Sequence, residues 1–141
     1  MLRIIFIAYC LLLSISVNAA DSAPSSLHQT VYQLNERFIY TPEAKGEDNW
    51  QVLSEDGIVH GDCEDFALTI QKQLGGSIFQ TRISEMKENH AIVCLGNGWC
   101  ADTLHNSPFR LVPTDYDFLI KLNPSYIRSR LQEIAEVSSY Y

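Results

Sequence analysis

The sequence has few basic residues, and they are scattered rather than clustered. The 141 residues include 10 Lys and Arg against 17 Asp and Glu, which gives a formal net charge of −7 at pH 7. An acidic surface repels the phosphate backbone of nucleic acids and the headgroups of anionic lipids. The composition therefore argues against nucleic acid as a partner and against docking on an anionic membrane.

The sequence also lacks an apolar run long enough to span a bilayer. The run from Ile4 to Leu13 follows a basic start at Arg3 and precedes the small-residue motif Val17–Asn18–Ala19. This order is typical of a secretory signal peptide. We therefore predict a signal peptide over residues 1–19 and one domain over residues 20–141. After cleavage we expect no integral membrane segment and a periplasmic or secreted location.

Cysteine is scarce as well, and its count is informative. One of the four cysteines, Cys10, lies in the predicted signal peptide, so Cys63, Cys94 and Cys100 remain. In an oxidising compartment cysteines tend to pair, and an odd number leaves one thiol unpaired. The identity of the unpaired cysteine decides between a structural and a chemical interpretation of the sequence.

The periodicity of apolar residues predicts a single α+β domain. Helical spacing predicts helices over residues 26–39, from Asp62 to Gly75, and from Asn123 onward, and Asp62 and Asp65 form a capping-box pattern. Alternating β-formers predict strands over residues 78–86, 91–95, 99–104 and 110–112. The order is helix, loop, helix, antiparallel sheet, helix.

The sharpest motif is Gly61–Asp62–Cys63–Glu64–Asp65, which places a thiol in the first turn of the second predicted helix. Unsatisfied backbone N–H groups and the helix dipole favour the thiolate there, and the thiolate is the nucleophile. The flanking carboxylates oppose the thiolate, so the thiol needs a positive partner such as a protonated histidine or a cation. The alternative is a buried structural cysteine.

The Gly96–Asn97–Gly98 turn determines which residues face each other in the hairpin around it. A three-residue turn closed by its last glycine puts Cys94 opposite Cys100 at a separation that a disulfide bridges, and it places His90 and Asp102 on one face. A two-residue turn would instead put His90 and Asp102 on opposite faces. The three-residue register leaves the thiol of the helix motif unpaired.

In the three-residue register a thiol, an imidazole and a carboxylate form a nucleophile, a base and an orienting group. Cys63 would attack a carbonyl carbon. His90 would take the thiol proton, or hold an ion pair with the thiolate, and later protonate the leaving amine. Asp102 would fix the tautomer of the imidazole.

Three further residues are candidates for supporting roles. Trp50 and Gln51 could donate a hydrogen bond to an oxyanion through the indole or amide N–H, although a buried tryptophan is more often part of a core. His105 is the alternative base. Its other interpretation is that it is an ordinary loop residue.

The sequence resembles the bacterial transglutaminase-like cysteine peptidases, periplasmic relatives of the papain/transglutaminase fold, from about Tyr40 to Leu104. The resemblance rests on four short blocks of sequence, of which the second is the most specific. These blocks are Asp48–Asn49–Trp50, Gly61–Asp62–Cys63–Glu64–Asp65–Phe66–Ala67, His90–Ala91–Ile92–Val93 and Ala101–Asp102–Thr103.

The resemblance implies a transglutaminase/papain-like core, in which the helix with the nucleophile packs on a small antiparallel sheet between flanking N- and C-terminal helices. It implies a Cys–His–Asp triad formed by Cys63, His90 and Asp102. Some members of the family depend on calcium, which would map to Asp62 and Glu64, and a bound cation would offset the carboxylate charge beside the thiolate.

We therefore expect an exported thiol hydrolase that cleaves a peptide or isopeptide bond in a polypeptide substrate through an acyl-enzyme. The sequence requires no cofactor, and calcium is the one that the resemblance adds. Transglutaminase-type acyl transfer is one alternative, and a catalytically inactive binding or inhibitory domain is another. A third is a structural module in which Cys63 is bridged to Cys94 or Cys100.

Overall fold

The computed structural model describes residues 22–44 and 47–138, so the predicted signal peptide lies outside the described residues. This part of the chain forms three helices: α1 (Ser25–Asn35), α2 (Cys63–Leu74) and α3 (Pro124–Ser138). It also forms seven strands: β1 (Phe38–Tyr40), β2 (Val59–Gly61), β3 (Ser77–Ile83), β4 (Asn89–Cys94), β5 (Trp99–Ala101), β6 (Phe109–Arg110) and β7 (Tyr116–Lys121). The predicted α+β class is confirmed.

Five of the strands form one antiparallel sheet in the order β6-β5-β4-β3-β7, while β1 and β2 form a separate parallel pair. Side chains alternate along each strand, so the sheet has two different faces. Ala91 and Val93 of β4 belong to the main core with α2, whereas Ile92 and Cys94 belong to a smaller apolar cluster on the other face. None of the helices in the described ranges has the length and apolar content that crossing a membrane requires.

Helix α2 begins as the sequence predicts. Asp62 is the N-cap and forms a capping box with Asp65, whose side chain accepts from the Asp62 backbone N–H at 3.3 Å. Gly61 is required for this arrangement, because a Cβ atom there would lie 2.6 Å from Asp65 Oδ2. Phe66, Ala67 and their neighbours on the inner face of the helix are buried. The capping carboxylate and the close approach at Gly61 fix the position of Cys63 in the first turn.

The first predicted helix is too long. Residues 26–39 were expected to be helical because Phe38 continues the apolar spacing of Leu27, Val31 and Leu34, but α1 ends at Asn35. Phe38 instead begins β1, and its ring packs edge-on against Phe66 at 5.1 Å between centroids. Phe38 therefore packs against the same core as Leu27, Val31 and Leu34, as its spacing predicted, but it does so from a strand.

The strands also differ from the predicted ones in number and length. β3 ends at Ile83, before the predicted 86, because the chain turns back through Lys87, which has a φ of 56° and donates to the Ile83 carbonyl. β5 ends at Ala101 instead of 104, and β6 lies slightly earlier than the predicted 110–112. The strands β1, β2 and β7 were not predicted. The early end of β5 matters most, because it opens a gap beside β4.

Candidate active site

The hairpin of β4 and β5 has the three-residue register. Cys94 pairs with Cys100 across the two strands, and Gly98 at the end of the turn has a φ of 83°. A disulfide joins Cys94 to Cys100, so the predicted disulfide is confirmed. Cys63 is the free cysteine of the described residues, and it is buried. The alternative in which Cys63 is bridged is therefore wrong for this fold.

His90 and Asp102 lie on the same face of the hairpin and contact each other. His90 Nε2 is 2.9 Å from Asp102 Oδ2, and both side chains are buried, with Asp102 fully inaccessible. An ionised carboxylate only accepts hydrogen bonds, so His90 carries a proton on Nε2. Its Nδ1 is therefore the nitrogen that accepts a proton in the neutral imidazole.

Hydrogen bonds to both carboxylate oxygens hold the Asp102 side chain in place. Its Oδ1 accepts from the backbone N–H groups of Leu104 and His105 at 3.0 and 2.9 Å, and it lies 2.8 Å from Nδ1 of His105. Burial alone would raise the pKa of Asp102, but the hydrogen bonds from His90 and His105 outweigh it and hold the pKa below its ordinary value. The carboxylate is ionised at neutral pH and fully hydrogen-bonded.

The sulfur of Cys63 lies where β5 separates from β4. The Leu95 N–H donates to the Trp99 carbonyl of β5, and N–H groups on one edge of a strand recur at every second residue. The N–H of Ala91 therefore points toward the same edge, but β5 has already ended at Ala101. The Ala91 N–H instead faces the Cys63 sulfur, where it has a lowering effect on the pKa of the thiol. The thiol is thus beside the His90–Ala91 peptide, in the gap that β5 leaves.

The electrostatic surroundings of Cys63 oppose the thiolate. Burial raises the pKa of the thiol well above its ordinary value, and so do the charge of Glu64 and the hydrogen bond from the thiol to Glu64 Oε2 at 2.9 Å. The Ala91 N–H lowers the pKa of Cys63, but this effect is too small to compensate for the others. In this conformation Cys63 is a neutral thiol.

The helix start does not activate the thiol as expected. The sequence led us to expect that free N–H groups in the first turn of α2 would favour the thiolate. Asp62 Oδ1 instead accepts from the N–H groups of Glu64 and Asp65, at 3.2 and 3.4 Å. The capping carboxylate thus uses the positive end of the helix, so the helix start does not offset the carboxylates that flank the thiol.

The three predicted triad residues are brought to one region, but one of their contacts is not formed. Among the described residues no hydrogen bond joins Cys63 to His90. The thiol proton goes to Glu64, while His90 is engaged with Asp102 through Nε2. The base and its orienting group are therefore assembled, whereas the nucleophile is nearby and turned toward a carboxylate.

Trp50 and Gln51, the candidate oxyanion donors, are both engaged elsewhere. The Trp50 indole N–H donates to Asp48 Oδ1 at 2.5 Å, and the ring is buried in the core against Tyr126. The backbone and side-chain N–H groups of Gln51 donate to the two oxygens of Asp65, at 2.9 and 3.1 Å. In this structure the two residues anchor their loop to the start of α2, so neither offers a free donor to an oxyanion.

Asp62 and Glu64 do not form a calcium site by themselves. Calcium takes six or more oxygen ligands. Asp62 Oδ1 caps α2 and Glu64 Oε2 accepts from the Cys63 thiol, so both carboxylates are already in use. Within residues 22–44 and 47–138 no group of three or more His, Cys, Asp or Glu is arranged to hold a metal ion. The donor set does not fit the cation.

His105 has a more specific place than the sequence suggested. It was the alternative base, but the structure puts its ring against Asp102, on the oxygen opposite His90. The signal available in the sequence was the spacing of three residues from Asp102 to His105 in a tight turn, a spacing at which an aspartate side chain commonly accepts from nearby backbone N–H groups.

The chain matches no protein-family model, no curated protein and no solved structure. Its function is therefore inferred from its own sequence and geometry.

Proposed function

We propose that the protein is an exported thiol hydrolase, a transglutaminase-like cysteine peptidase, which cleaves a peptide or isopeptide bond through an acyl-enzyme on Cys63. The observation that carries the proposal is the convergence at the end of β5. A free, buried sulfur lies beside the Ala91 N–H, and the neighbouring residue His90 has an imidazole that a buried carboxylate orients. Nucleophile, base and orienting group on separate elements are the arrangement used for acyl transfer.

The proposed reaction begins with attack of the Cys63 sulfur on the carbonyl carbon of the scissile bond. The thiol proton passes to Nδ1 of His90, and Asp102 stabilises the resulting imidazolium through Nε2–H. When the tetrahedral intermediate collapses, the carbon–nitrogen bond breaks and His90 gives the proton to the leaving amine. The products of this step are the free amine and a thioester on Cys63.

The second half of the reaction restores the enzyme. Water attacks the thioester carbonyl while His90 removes one of its protons, and collapse releases a carboxylic acid and returns the proton to the Cys63 sulfur. If an amine replaces water, the same steps form a new amide bond. Hydrolysis and transamidation thus differ only in the second nucleophile, and the geometry supports both.

The raised pKa of Cys63 determines the role of His90 in this proposal. A neutral resting thiol requires a base that takes the proton during attack, rather than a partner in a preformed ion pair. For this step the thiol must turn from Glu64 toward His90. We assign this step to rotation about the Cα–Cβ bond of Cys63, which changes the rotamer of one small side chain.

The proposal is tested by the rate of iodoacetamide alkylation at Cys63 as a function of pH. If His90 takes the thiol proton during the attack, the native protein should alkylate well below the pH of about 8.5 at which free thiols ionise. We expect His90→Ala to slow alkylation at pH 7 by at least roughly tenfold. His60→Ala is the control, because His60 is exposed and contacts Thr41 instead. Equal profiles for the native protein and His90→Ala would overturn the proposal.

A second candidate function is a catalytically inactive binding or inhibitory domain on the same scaffold. The contact between Cys63 and Glu64 favours it, because a carboxylate that accepts from the thiol suppresses its reactivity. This candidate predicts that Cys63 in the native protein alkylates more slowly than free cysteine at every pH. The same measurement therefore separates the two functions.

A further inference from the structure

One buried carboxylate serves two imidazoles in this structure. Asp102 Oδ2 is 2.9 Å from Nε2 of His90, and Asp102 Oδ1 is 2.8 Å from Nδ1 of His105. The catalytic proposal uses the first contact and has no role for the second. The two histidines nevertheless share a single negative charge in a site that water does not reach, since Asp102 is fully buried.

His105 connects this buried charge to the solvent. Its side chain is 46% exposed, while that of His90 is only 5% exposed. The ring stacks on Phe109 at 4.1 Å between centroids, which fixes its orientation. It also lines a cleft of about 340 Å³, whose wall on the opposite side comes from β7 and the segment before it.

The titratable groups that face His105 come from three segments. Asp102 faces it within its own turn, and Glu85 comes from the turn after β3. Asp115 ends the short turn before β7, and Tyr116 begins that strand. Burial and the Asp102 charge raise the pKa of Tyr116 to about 12, so its hydroxyl stays neutral near pH 7. The groups around His105 thus carry only negative charge, and Asp102 is the one in contact.

We propose that His105 is a positioning residue that controls the His90–Asp102 pair through the shared carboxylate. When His105 is protonated, two cations compete for one negative charge, so the protonation of His105 opposes the protonation of His90. When His105 is neutral, it still donates from Nδ1 and keeps Asp102 in place. The protonation state of His105 thereby changes the basicity of His90.

The consequence for catalysis rests on the proposed function, since it concerns the proton that His90 takes from Cys63. Protonation of His105 would make His90 a weaker base and slow the attack by sulfur. The coupling between the two imidazoles does not depend on catalysis. It follows from their contacts with the opposite oxygens of Asp102.

The test is a pH titration of the imidazole signals by two-dimensional NMR of the full chain. His105→Asn keeps a donor near the position of Nδ1 and removes the charge of the protonated ring. His105→Phe keeps the surface that stacks on Phe109 and removes both the donor and the charge. We expect both variants to raise the titration midpoint of His90, by roughly half to one pH unit. The shift should be larger for His105→Phe, because it also leaves more of the Asp102 charge to His90.

A purely structural role of His105 would give different results from the proposed coupling, and a control variant tests for unspecific effects. His60→Asn should leave the His90 titration unchanged. If His105 served only to hold Asp102 in place, His105→Phe would lower the His90 midpoint and His105→Asn would not move it, and that result would overturn the proposal. An unchanged midpoint in both variants would overturn it as well. Neither outcome bears on alkylation of Cys63, so failure here and failure of the proposed function are distinguishable.

Discussion

Each half of the candidate site contains a carboxylate, and the surroundings of the two carboxylates have opposite effects. Asp102, beside the base, accepts four hydrogen bonds and has a lowered pKa. Glu64, beside the nucleophile, has a pKa that burial raises, and its charge in turn raises the pKa of Cys63. The base is therefore preorganised in the resting protein, whereas the nucleophile is restrained. Replacing each carboxylate by its amide tests this contrast directly.

We expect the largest effect from Asp102→Asn. An asparagine has one oxygen and one NH₂ group in place of the two carboxylate oxygens. The NH₂ group would face either His90 Nε2–H or the groups that donate to Oδ1, so at least one buried donor would lose its acceptor. Loss of a buried charged acceptor should lower the free energy of unfolding by about 3 kcal/mol at pH 7. Because the folded protein has the lower Asp102 pKa, this contribution exists above the ordinary carboxyl pKa near about 4 and disappears as the pH falls through the folded value. Urea denaturation at several pH values measures it.

A matched control for Asp102→Asn is Asp117→Asn. Asp117 is an exposed carboxylate that pairs with Lys87 Nζ at 3.1 Å and with Arg82 Nε at 3.8 Å. Exposed ion pairs contribute little, so the same chemical change should have little effect on stability. Equal losses in the two variants would contradict the view that burial and full hydrogen bonding distinguish Asp102.

The disulfide should contribute the next largest effect, and it should act on the base half alone. It closes a loop from Cys94 to Cys100, six residues apart, on the two strands that lead to His90 and Asp102. Chain-entropy estimates for so short a loop give about 2 kcal/mol. Cys94→Ser/Cys100→Ser should therefore lower the free energy of unfolding by this amount and broaden the His90 signals in NMR spectra.

Cys63→Ser is the control for the disulfide variant, because it makes the same chemical change at a cysteine that is not bridged. It should leave the His90 signals sharp. Peptide mapping of the denatured, unreduced protein should find iodoacetamide on Cys63 and none on Cys94 or Cys100. A label on Cys94 would show that the strands are not bridged.

Sequence reasoning predicted the elements whose local signals are strong. The Asp62 capping box and the glycine that closes the Gly96–Asn97–Gly98 turn depend on neighbouring residues, and both were predicted from sequence and are present. The turn allowed two registers, and the structure has the three-residue one, which places His90 and Asp102 on one face and joins Cys94 to Cys100. β7 was missed although Tyr116, Phe118 and Ile120 are β-formers, because its partner β3 is distant in sequence.

The sign of the Cys63 pKa shift could not be predicted, because two opposing effects act within one helical turn. The sequence gives both the helix start and the adjacent carboxylates, but their balance depends on distances. Asp62 takes the helix N–H groups, and Glu64 comes within 2.9 Å of the sulfur. Only coordinates show that both contacts act against the thiolate.

Glu64→Gln should have the smallest effect on stability and the opposite sign to Asp102→Asn. Burial raises the pKa of Glu64 in the folded protein, so the unfolded chain loses this proton first and stability declines as the pH rises from about 4.3 toward the folded value. The neutral amide removes that decline, and we expect a gain of about 0.5 kcal/mol at pH 7 for this partly buried side chain. Alkylation of Cys63 should become roughly tenfold faster, since the charge that raises its pKa is gone. Glu36→Gln, on an exposed side chain, should change neither quantity. A slower reaction at Cys63 would mean that Glu64 takes part in activating the thiol, and the contrast between the two halves would then be wrong.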